Sequence, residues 1–152
     1  MPMQQSNDLV LLSCISPILY GIYENGKLIQ SFQTAQKTLN ALSEIQLLIK
    51  AHKIKRIFYA RGPGNFTAIK LTHLFLQTLQ IAEDVELFCV DSFYFNANAP
   101  IKAFGNQYFI KEEEILLKKF EVLPTCEFAL PQILFEEDFK TECEPLYVLP
   151  AV

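Results

Sequence analysis

The sequence predicts an α/β lobe in which helices pack on a mixed β-sheet. Two observations support this fold class. The chain opens with three consecutive strand-like segments, and helical and strand-like segments then alternate. An antiparallel opening followed by alternating helices and strands gives a sheet with both antiparallel and parallel pairs. Because 51% of the 152 residues are hydrophobic, the chain can fill one core and leave apolar side chains for an interface.

The first three predicted strands come from apolar runs and one turn signal. Residues 9–15 are continuously apolar, which is typical of a buried strand, and Ser16-Pro17 interrupts the run. Residues 18–24 and 27–32 flank Asn25-Gly26, the strongest short signal for a β-hairpin. We therefore expect three consecutive antiparallel strands.

Two helices alternate with two further strands. Residues 34–52 are predicted to be helical, residues 55–60 form a strand, and residues 66–81 form a second helix with Asn65 as its N-cap. Residues 85–90 read as the last strand of this region. In the first helix, the apolar residues that recur at spacings of three and four are Ala35, Leu39, Leu42, Ile45 and Ile49.

The pattern weakens beyond Pro100. Residues 107–111 and 115–122 suit a hairpin whose turn is residues 112–114. The same stretch also suits a helix, because Glu114 and Lys118 have the spacing of a helical ion pair. Aromatic and β-branched residues on both sides favour the hairpin.

The most informative segment is the run of residues 61–70, Arg-Gly-Pro-Gly-Asn-Phe-Thr-Ala-Ile-Lys. Glycines at a strand end allow a sharp turn, and the helix that follows offers free N–H groups. The segment is therefore either a tight strand-to-helix turn or a phosphate-binding loop, although the Gly-Lys-Ser/Thr ending of a Walker loop is missing. The residues of this motif loop are Gly62, Pro63, Gly64, Asn65, Phe66 and Thr67.

This segment resembles the GPGSFTGLR signature of the TsaB (YeaZ) family, whose members are bacterial subunits of the machinery that makes threonylcarbamoyladenosine in tRNA. The order of elements over residues 9–98 agrees, and residues 144–148 resemble the PxYLR ending of the family. The sequence departs from the family at Asn65, Ala68 and Leu149, where the family has Ser, Gly and Arg.

The resemblance implies an actin-like ATPase lobe, also described as ribonuclease-H-like, over residues 1–98. Residues 99–152 would be a reduced second lobe or a C-terminal extension. It also implies a non-catalytic subunit that binds and activates the TsaD-type threonylcarbamoyltransferase. A TsaE-like ATPase would join the larger complex, tRNA would be contacted only indirectly, and a homodimer is possible. No cofactor and no metal are expected for the chain itself.

Two other functions remain open at this stage. Family relatives that bind nucleotide carry an Asp on the first strand to hold Mg²⁺, and the aligned residue here is Cys14. A neutral thiol is a poor ligand for this hard cation, which disfavours a small ATP-dependent phosphotransferase that would use residues 62–65. The other alternative is a self-associating structural protein.

The second helix has more apolar surface than one core contact requires. Its polar stripe is only about 80° wide, and the flanks on either side are apolar. We expect Ala68, Phe75 and Leu79 to face the sheet, and one flank to pack on the first helix. The other flank then needs a partner, and the family resemblance supports one, because TsaB proteins pair with TsaD and with themselves through these two helices. The small hydroxyls of Thr67 and Thr78 favour the flank containing Leu74 over the flank containing Leu76. The predicted partner-binding residues are Leu71, Leu74, Thr78 and Ile81, with Leu39 and Leu42 from the first helix.

Scattered polar residues give no catalytic or metal-binding pattern. His52 and His73 lie on different predicted helices, and no two cysteines have CxxC spacing. Asp91 fits a helix N-cap better than a catalytic carboxylate, and the acidic runs 112–114 and 136–138 read as solvated turns. The four cysteines, predicted to be buried free thiols, are Cys14, Cys89, Cys126 and Cys143.

Composition and charge predict a cytoplasmic chain without a membrane segment. No apolar run is long enough to cross a bilayer, and no Lys or Arg precedes residues 9–15 as in a signal peptide. The net charge of −4 disfavours a protein that grips nucleic acid alone. The basic cluster reads as a solvated helix end and less readily as an RNA contact; it comprises Lys50, Lys53, Lys55, Arg56 and Arg61.

Overall fold

The larger of two β-sheets contains three strands that precede the first helix in the chain and two strands that follow it. The computed structural model describes residues 7–125 and 127–148, and the elements below are those of the described residues. The larger sheet contains β1 (Asn7–Leu12), β2 (Ile18–Glu24), β3 (Lys27–Thr34), β4 (Arg56–Ala60) and β5 (Glu86–Val90). The helices are α1 (Thr38–Ala51) and α2 (Phe66–Glu83), and the smaller sheet contains β6 (Ile101–Phe104), β7 (Gln107–Lys111) and β8 (Ile115–Lys119).

The strand order of the larger sheet is β3-β2-β1-β4-β5, and the predicted mixed sheet is confirmed. The first three strands pair antiparallel, whereas β1, β4 and β5 pair parallel. Asn25 and Gly26 adopt positive φ angles of 51° and 81°, as a tight hairpin between β2 and β3 requires. The parallel connections pass through α1 and α2, which supply the long crossovers that such pairs need.

Both helices occur where the sequence predicts them, with shifted ends. The first begins at Thr38 instead of residue 34, because Thr34 pairs with Ile18 and so extends β3. As a result Ala35 lies outside the helix and is exposed. The second helix begins at Phe66 as predicted, and the Asn65 side chain accepts a hydrogen bond of 2.9 Å from the Ala68 N–H. Asn65 is therefore the predicted N-cap.

One face of the larger sheet is covered by the helices, and the other by residues 127–148, which we call the C-terminal strap. Leu134 and Phe139 of the strap are buried against side chains of β1, β4 and β5. The strap pairs with the β3 edge, where the Leu28 N–H donates to the Gln132 carbonyl at 3.0 Å. At the opposite edge it pairs with Cys89 of β5. This path could not be predicted from the sequence, because the hydrophobic residues of the strap have no regular period.

The smaller sheet contains the predicted hairpin, and the helical alternative for this stretch is wrong. Strands β7 and β8 pair antiparallel around the turn at residues 112–114, although β8 ends at Lys119 instead of residue 122. Strand β6 was not predicted, and it pairs antiparallel with β7. A small core joins this sheet to the rest of the chain through Phe93, Ile101 and Phe109.

Candidate functional site

The motif loop is a tightly packed turn between β4 and α2. A Cβ atom at Gly64 would lie 2.2 Å from the carbonyl oxygen of Cys14, at the end of the first strand. At Gly62, where φ is 125°, a Cβ atom would lie 2.4 Å from the Leu146 carbonyl oxygen of the strap. Both positions therefore require glycine, because the main chain on either side leaves no room for a side chain.

The same loop uses N–H groups that a phosphate would need. The Asn65 N–H donates to the Cys14 carbonyl at 2.8 Å, and the Ala68 N–H is bonded to the Asn65 side chain. Thr67 and Phe66 are exposed, and the Phe66 ring contacts the ring of Tyr147 edge-on, with 5.4 Å between centroids. This geometry favours the tight-turn interpretation of the motif over a phosphate cradle.

Cys14, which the resemblance aligns with a Mg²⁺-binding Asp, has surroundings that keep its thiol protonated. The residue is 1% exposed, and its sulfur lies 3.0 Å from the Ser92 hydroxyl. Burial raises the pKa of the Cys14 thiol to about 11. A neutral sulfur is a poor ligand for Mg²⁺. Within residues 7–125 and 127–148, no group of three His, Cys, Asp or Glu side chains is arranged to hold a metal ion.

Two clefts of about 640 and 620 Å³ flank the loop that follows β1. The first reaches the smaller sheet and has Lys102 and Glu127 as its charged lining residues. The second reaches the start of α1 and has Lys37 as its charged lining residue. Among the described residues, neither cleft brings together the carboxylates and multiple cations that a nucleotide–Mg²⁺ complex needs.

The two flanks of α2 differ in exposure, as the sequence analysis required. Leu76 is 0% exposed and Ile69 is also buried, so this flank belongs to the core. On the other flank Leu74 is 53% exposed and Ile81 is 85% exposed. Thr78 lies between them, exposed, with its hydroxyl bonded to the Leu74 carbonyl at 2.8 Å.

The exposed flank of α2 continues onto α1. Leu39 of α1 is 61% exposed, and a groove of about 310 Å³ separates it from Leu74. Leu47 of α1 is exposed too, at 69%, but it does not line this groove. We call this surface the α1–α2 face; its exposed members are Leu39, Leu74, Thr78 and Ile81.

Two residues of the predicted set lie deeper than expected. Leu42 is 3% exposed and packs in the core, so its inclusion among the partner-binding residues is corrected. The reason is the orientation of α1, which turns Leu42, Ile45 and Ile49 toward the sheet and leaves Leu39 outside. Leu71 is half-buried and also packs against the core. Phe75, expected to face the sheet, is half-buried against the same core.

The basic cluster is largely engaged inside the molecule. Arg56 donates two hydrogen bonds to buried Asp8, at 2.9 and 2.8 Å, and a third of 2.8 Å to Glu136 of the strap. The bonds to Asp8 raise the pKa of Arg56. Arg61 donates to the Glu144 carbonyl at 3.2 Å, and Lys55 donates to a carbonyl at the end of α2. These contacts leave fewer free cations for RNA than the sequence suggested.

The acidic and histidine positions have structural roles. Asp91 accepts a 3.0 Å bond from the Phe93 N–H and pairs with Lys111 at 2.6 Å, which confirms the predicted cap. The run at residues 136–138 is not simply solvated, because Glu136 pairs with Arg56 and Asp138 accepts a bond from a tyrosine hydroxyl. His52 is the C-cap of α1, and His73 is half-buried on α2.

The cysteine prediction holds in part. Cys14 and Cys89 are buried free thiols, whereas Cys143 is only half-buried because it lies in the strap. Cys126 and Leu149 lie outside the described residues.

Comparison with solved structures identifies the fold. YeaZ from Pseudomonas aeruginosa superposes with a TM-score of 0.57 at 19% identity, over 83% of this chain and 71% of that protein. The chain has the YeaZ fold. An uncharacterized protein with similarity to peptidase YeaZ from Pseudomonas aeruginosa gives the same TM-score at 17% identity, over 76% of this chain and 64% of that one. This chain thus spans roughly two thirds of the length of these structures.

The predicted actin-like α/β fold is therefore confirmed, since YeaZ has the actin-like ATPase fold. No family description and no curated protein matches the sequence. Among the described residues, no helix is both long and apolar enough to cross a membrane.

Proposed function

We propose that the chain is a TsaB-type subunit that binds and activates a TsaD-type threonylcarbamoyltransferase through the α1–α2 face. The YeaZ fold and the motif loop in its strand-to-helix position support this role. The transferase would carry out the chemistry on tRNA adenosine, and a TsaE-like ATPase would complete the assembly. The chain itself would work in the cytoplasm and touch tRNA only indirectly.

The observation that carries the proposal is the apolar stripe left uncovered on two packed helices. Leu39, Leu74 and Ile81 are all more than half exposed, although one flank of α2 already fills the core. Large contiguous apolar surface on a folded domain is typical of a protein interface. The small hydroxyls of Ser43 and Thr78 between these side chains suit close approach of another helix pair.

The chemistry of the motif region favours a partner role over catalysis. The Cys14 thiol is protonated at neutral pH, and the loop N–H groups at Asn65 and Ala68 are occupied. A phosphotransferase would need a carboxylate and free N–H groups at these positions. This alternative predicts Mg²⁺-dependent nucleotide binding, which calorimetry on the purified chain would detect and which our proposal does not expect.

Reconstitution tests the proposed function directly. The TsaD-type transferase, the ATPase and a threonylcarbamoyl donor are incubated with tRNA, with and without this chain, and modified adenosine is measured. We expect modification only when the chain is present, and none from the chain alone. Equal modification with and without the chain would refute the activating role.

Self-association must be measured separately from binding to the transferase, because the α1–α2 face also suits a homodimer. Light scattering coupled to size-exclusion chromatography gives the mass of the chain alone and with the transferase. We expect a one-to-one complex with the transferase to form at the expense of any homodimer, since both would use the α1–α2 face. A homodimer that persists and excludes the transferase would instead favour the structural-protein alternative.

A further inference from the structure

Two free cysteines lie side by side where the C-terminal strap crosses the β5 edge of the larger sheet. Cys89 belongs to β5 and is fully buried, and Cys143 belongs to the strap and is half-buried. The main chains of Cys89 and Lys140 exchange two hydrogen bonds, of 2.8 and 2.9 Å. This antiparallel bridge fixes the strap only three residues before Cys143.

Each sulfur atom is directed toward the segment that carries the other. The Cys89 sulfur lies 3.6 Å from the carbonyl oxygen of Glu142, the residue before Cys143. The Cys143 sulfur lies 3.9 Å from the carbonyl oxygen of Leu87 and 3.5 Å from that of Lys140. The two thiols are close enough for each to perturb the pKa of the other. The backbone pairing of Cys89 with Lys140 brings this part of the strap beside β5, and close approach of the two main chains is what a disulfide requires.

The two thiols differ in acidity and in access. Interaction with the Cys89 thiol lowers the pKa of Cys143, and the nearby cations Arg61 and Lys140 act in the same direction. The same interaction, together with burial, raises the pKa of Cys89. Cys143 is also the thiol that solvent reaches. It is therefore the attacking sulfur, and Cys89 is placed to resolve the product.

We propose that Cys89 and Cys143 form a reversible disulfide, with a small-molecule disulfide as the oxidant. In the first step the Cys143 thiolate attacks one sulfur of the small disulfide, forming a mixed disulfide and releasing one small thiol that takes up the proton lost by Cys143. In the second step the Cys89 thiol loses its proton and attacks the Cys143 sulfur, which releases the second small thiol. The pair is oxidised by two electrons, and the small disulfide is reduced to two thiols.

This disulfide would lock the strap to the sheet just before the strap reaches the motif loop. Beyond Cys143, the Leu146 N–H donates to the Arg61 carbonyl at 2.9 Å, and Tyr147 contacts Phe66 at the start of α2. The oxidised form would therefore hold the end of the strap against the loop with a covalent bond. The inference does not depend on the proposed function, because it concerns only contacts within this chain.

The test treats the full folded chain with oxidised glutathione, blocks free thiols, and digests it without reduction for mass spectrometry. We expect a Cys89–Cys143 peptide pair whose mass is lower by two hydrogen atoms, and a fall in titratable thiols from the four of the sequence to two. Trypsin cleavage after Lys140 should slow severalfold, and a reducing agent should restore it. Cys89→Ser should accumulate glutathione on Cys143, whereas the matched control Cys126→Ser should still form the bond.

Three results would overturn the proposal. The first is wild-type protein that keeps glutathione on Cys143 without closing the bond. The second is a cross-link that uses Cys126 or joins two chains. The third is a Cys89–Cys143 bond that forms in urea and not in the folded protein. All three are read from the wild-type chain, so loss of folding in a variant does not affect the outcome.

Discussion

The pair of substitutions Leu74→Lys and Leu76→Lys separates a partner surface from a core in one helix. The two positions lie on opposite flanks of α2, and the new side chain is the same. Leu76 is completely buried, whereas about half of the Leu74 side chain already lies in water. The same lysine should therefore have opposite consequences for folding and for binding.

At Leu76 the lysine places a charge among the buried apolar side chains of the core. Loss of the leucine packing alone costs about 2–5 kcal/mol, and the unpaired charge adds to this. A domain of this size has about 5–15 kcal/mol of stability in total. We therefore expect Leu76→Lys to lose cooperative unfolding. Leu74→Lys should lower the free energy of unfolding by less than about 1 kcal/mol, because the lysine extends its ammonium group into solvent.

Leu74→Lys should have a small effect on stability but a large effect on binding to the partner. A lysine forced into an apolar contact with the partner should cost about 2–5 kcal/mol, which raises Kd by roughly 30-fold to 4000-fold. Urea unfolding followed by circular dichroism measures stability, and size-exclusion chromatography with the transferase measures the complex. The reasoning fails if both variants fold and both still bind, because the interface then lies elsewhere. It also fails if Leu74→Lys unfolds while Leu76→Lys remains stable.

Two further predictions concern Gly64 in the motif loop and Cys14, which contacts it. Gly64→Ala should lower the free energy of unfolding by about 1–3 kcal/mol or more, because the new methyl group would lie 2.2 Å from the Cys14 carbonyl oxygen. Gly105→Ala is the matched control, with open space at its Cβ position and only the roughly 1 kcal/mol strain of a positive φ; equal losses in urea titrations would contradict the packing account. Burial raises the pKa of Cys14 from 9.0 to about 11, so the unfolded chain releases this proton first as the pH rises. Stability should fall by about 2–3 kcal/mol between pH ~9 and ~11; Cys14→Ala should remove that part of the slope, and an unchanged slope would show that other groups cause it.

Local signals in the sequence were sufficient for most elements of the larger sheet. The Asn25-Gly26 turn fixed the β2–β3 hairpin, and Asn65 fixed the start of α2, because both depend on residues adjacent in the chain. The ends of α1 and β8 were misplaced, since strand pairing and packing decide where such elements stop. Strand β6 was missed because a four-residue strand carries too short a pattern to distinguish it from a loop.

The surface of α2 shows what hydrophobic periodicity can predict about a helix and what it cannot. Its spacing identified two apolar flanks and one narrow polar stripe, and the small hydroxyls of Thr67 and Thr78 were the reason to prefer the Leu74 flank. The orientation of α2 on the sheet determines which flank is exposed: it buries Leu76 and leaves Leu74 exposed. In the same way, the orientation of α1 on the sheet buries Leu42 in the core. The spacing of Leu42 from Leu39 could not show that only Leu39 stays exposed.

By itself, the sequence determined the fold class, the order of the elements from β1 to β5 along the chain, the cap of α2 and the presence of surplus apolar surface. These properties depend on hydrophobic period, turn residues and composition, which act over a few neighbouring residues. Only the tertiary structure decided that the strap covers the second face of the sheet, that Cys14 and Leu146 carbonyls crowd the motif glycines, and that Cys89 meets Cys143. Such contacts join residues far apart in the chain, and they exist only when the whole core has packed and brought the strap back across the sheet.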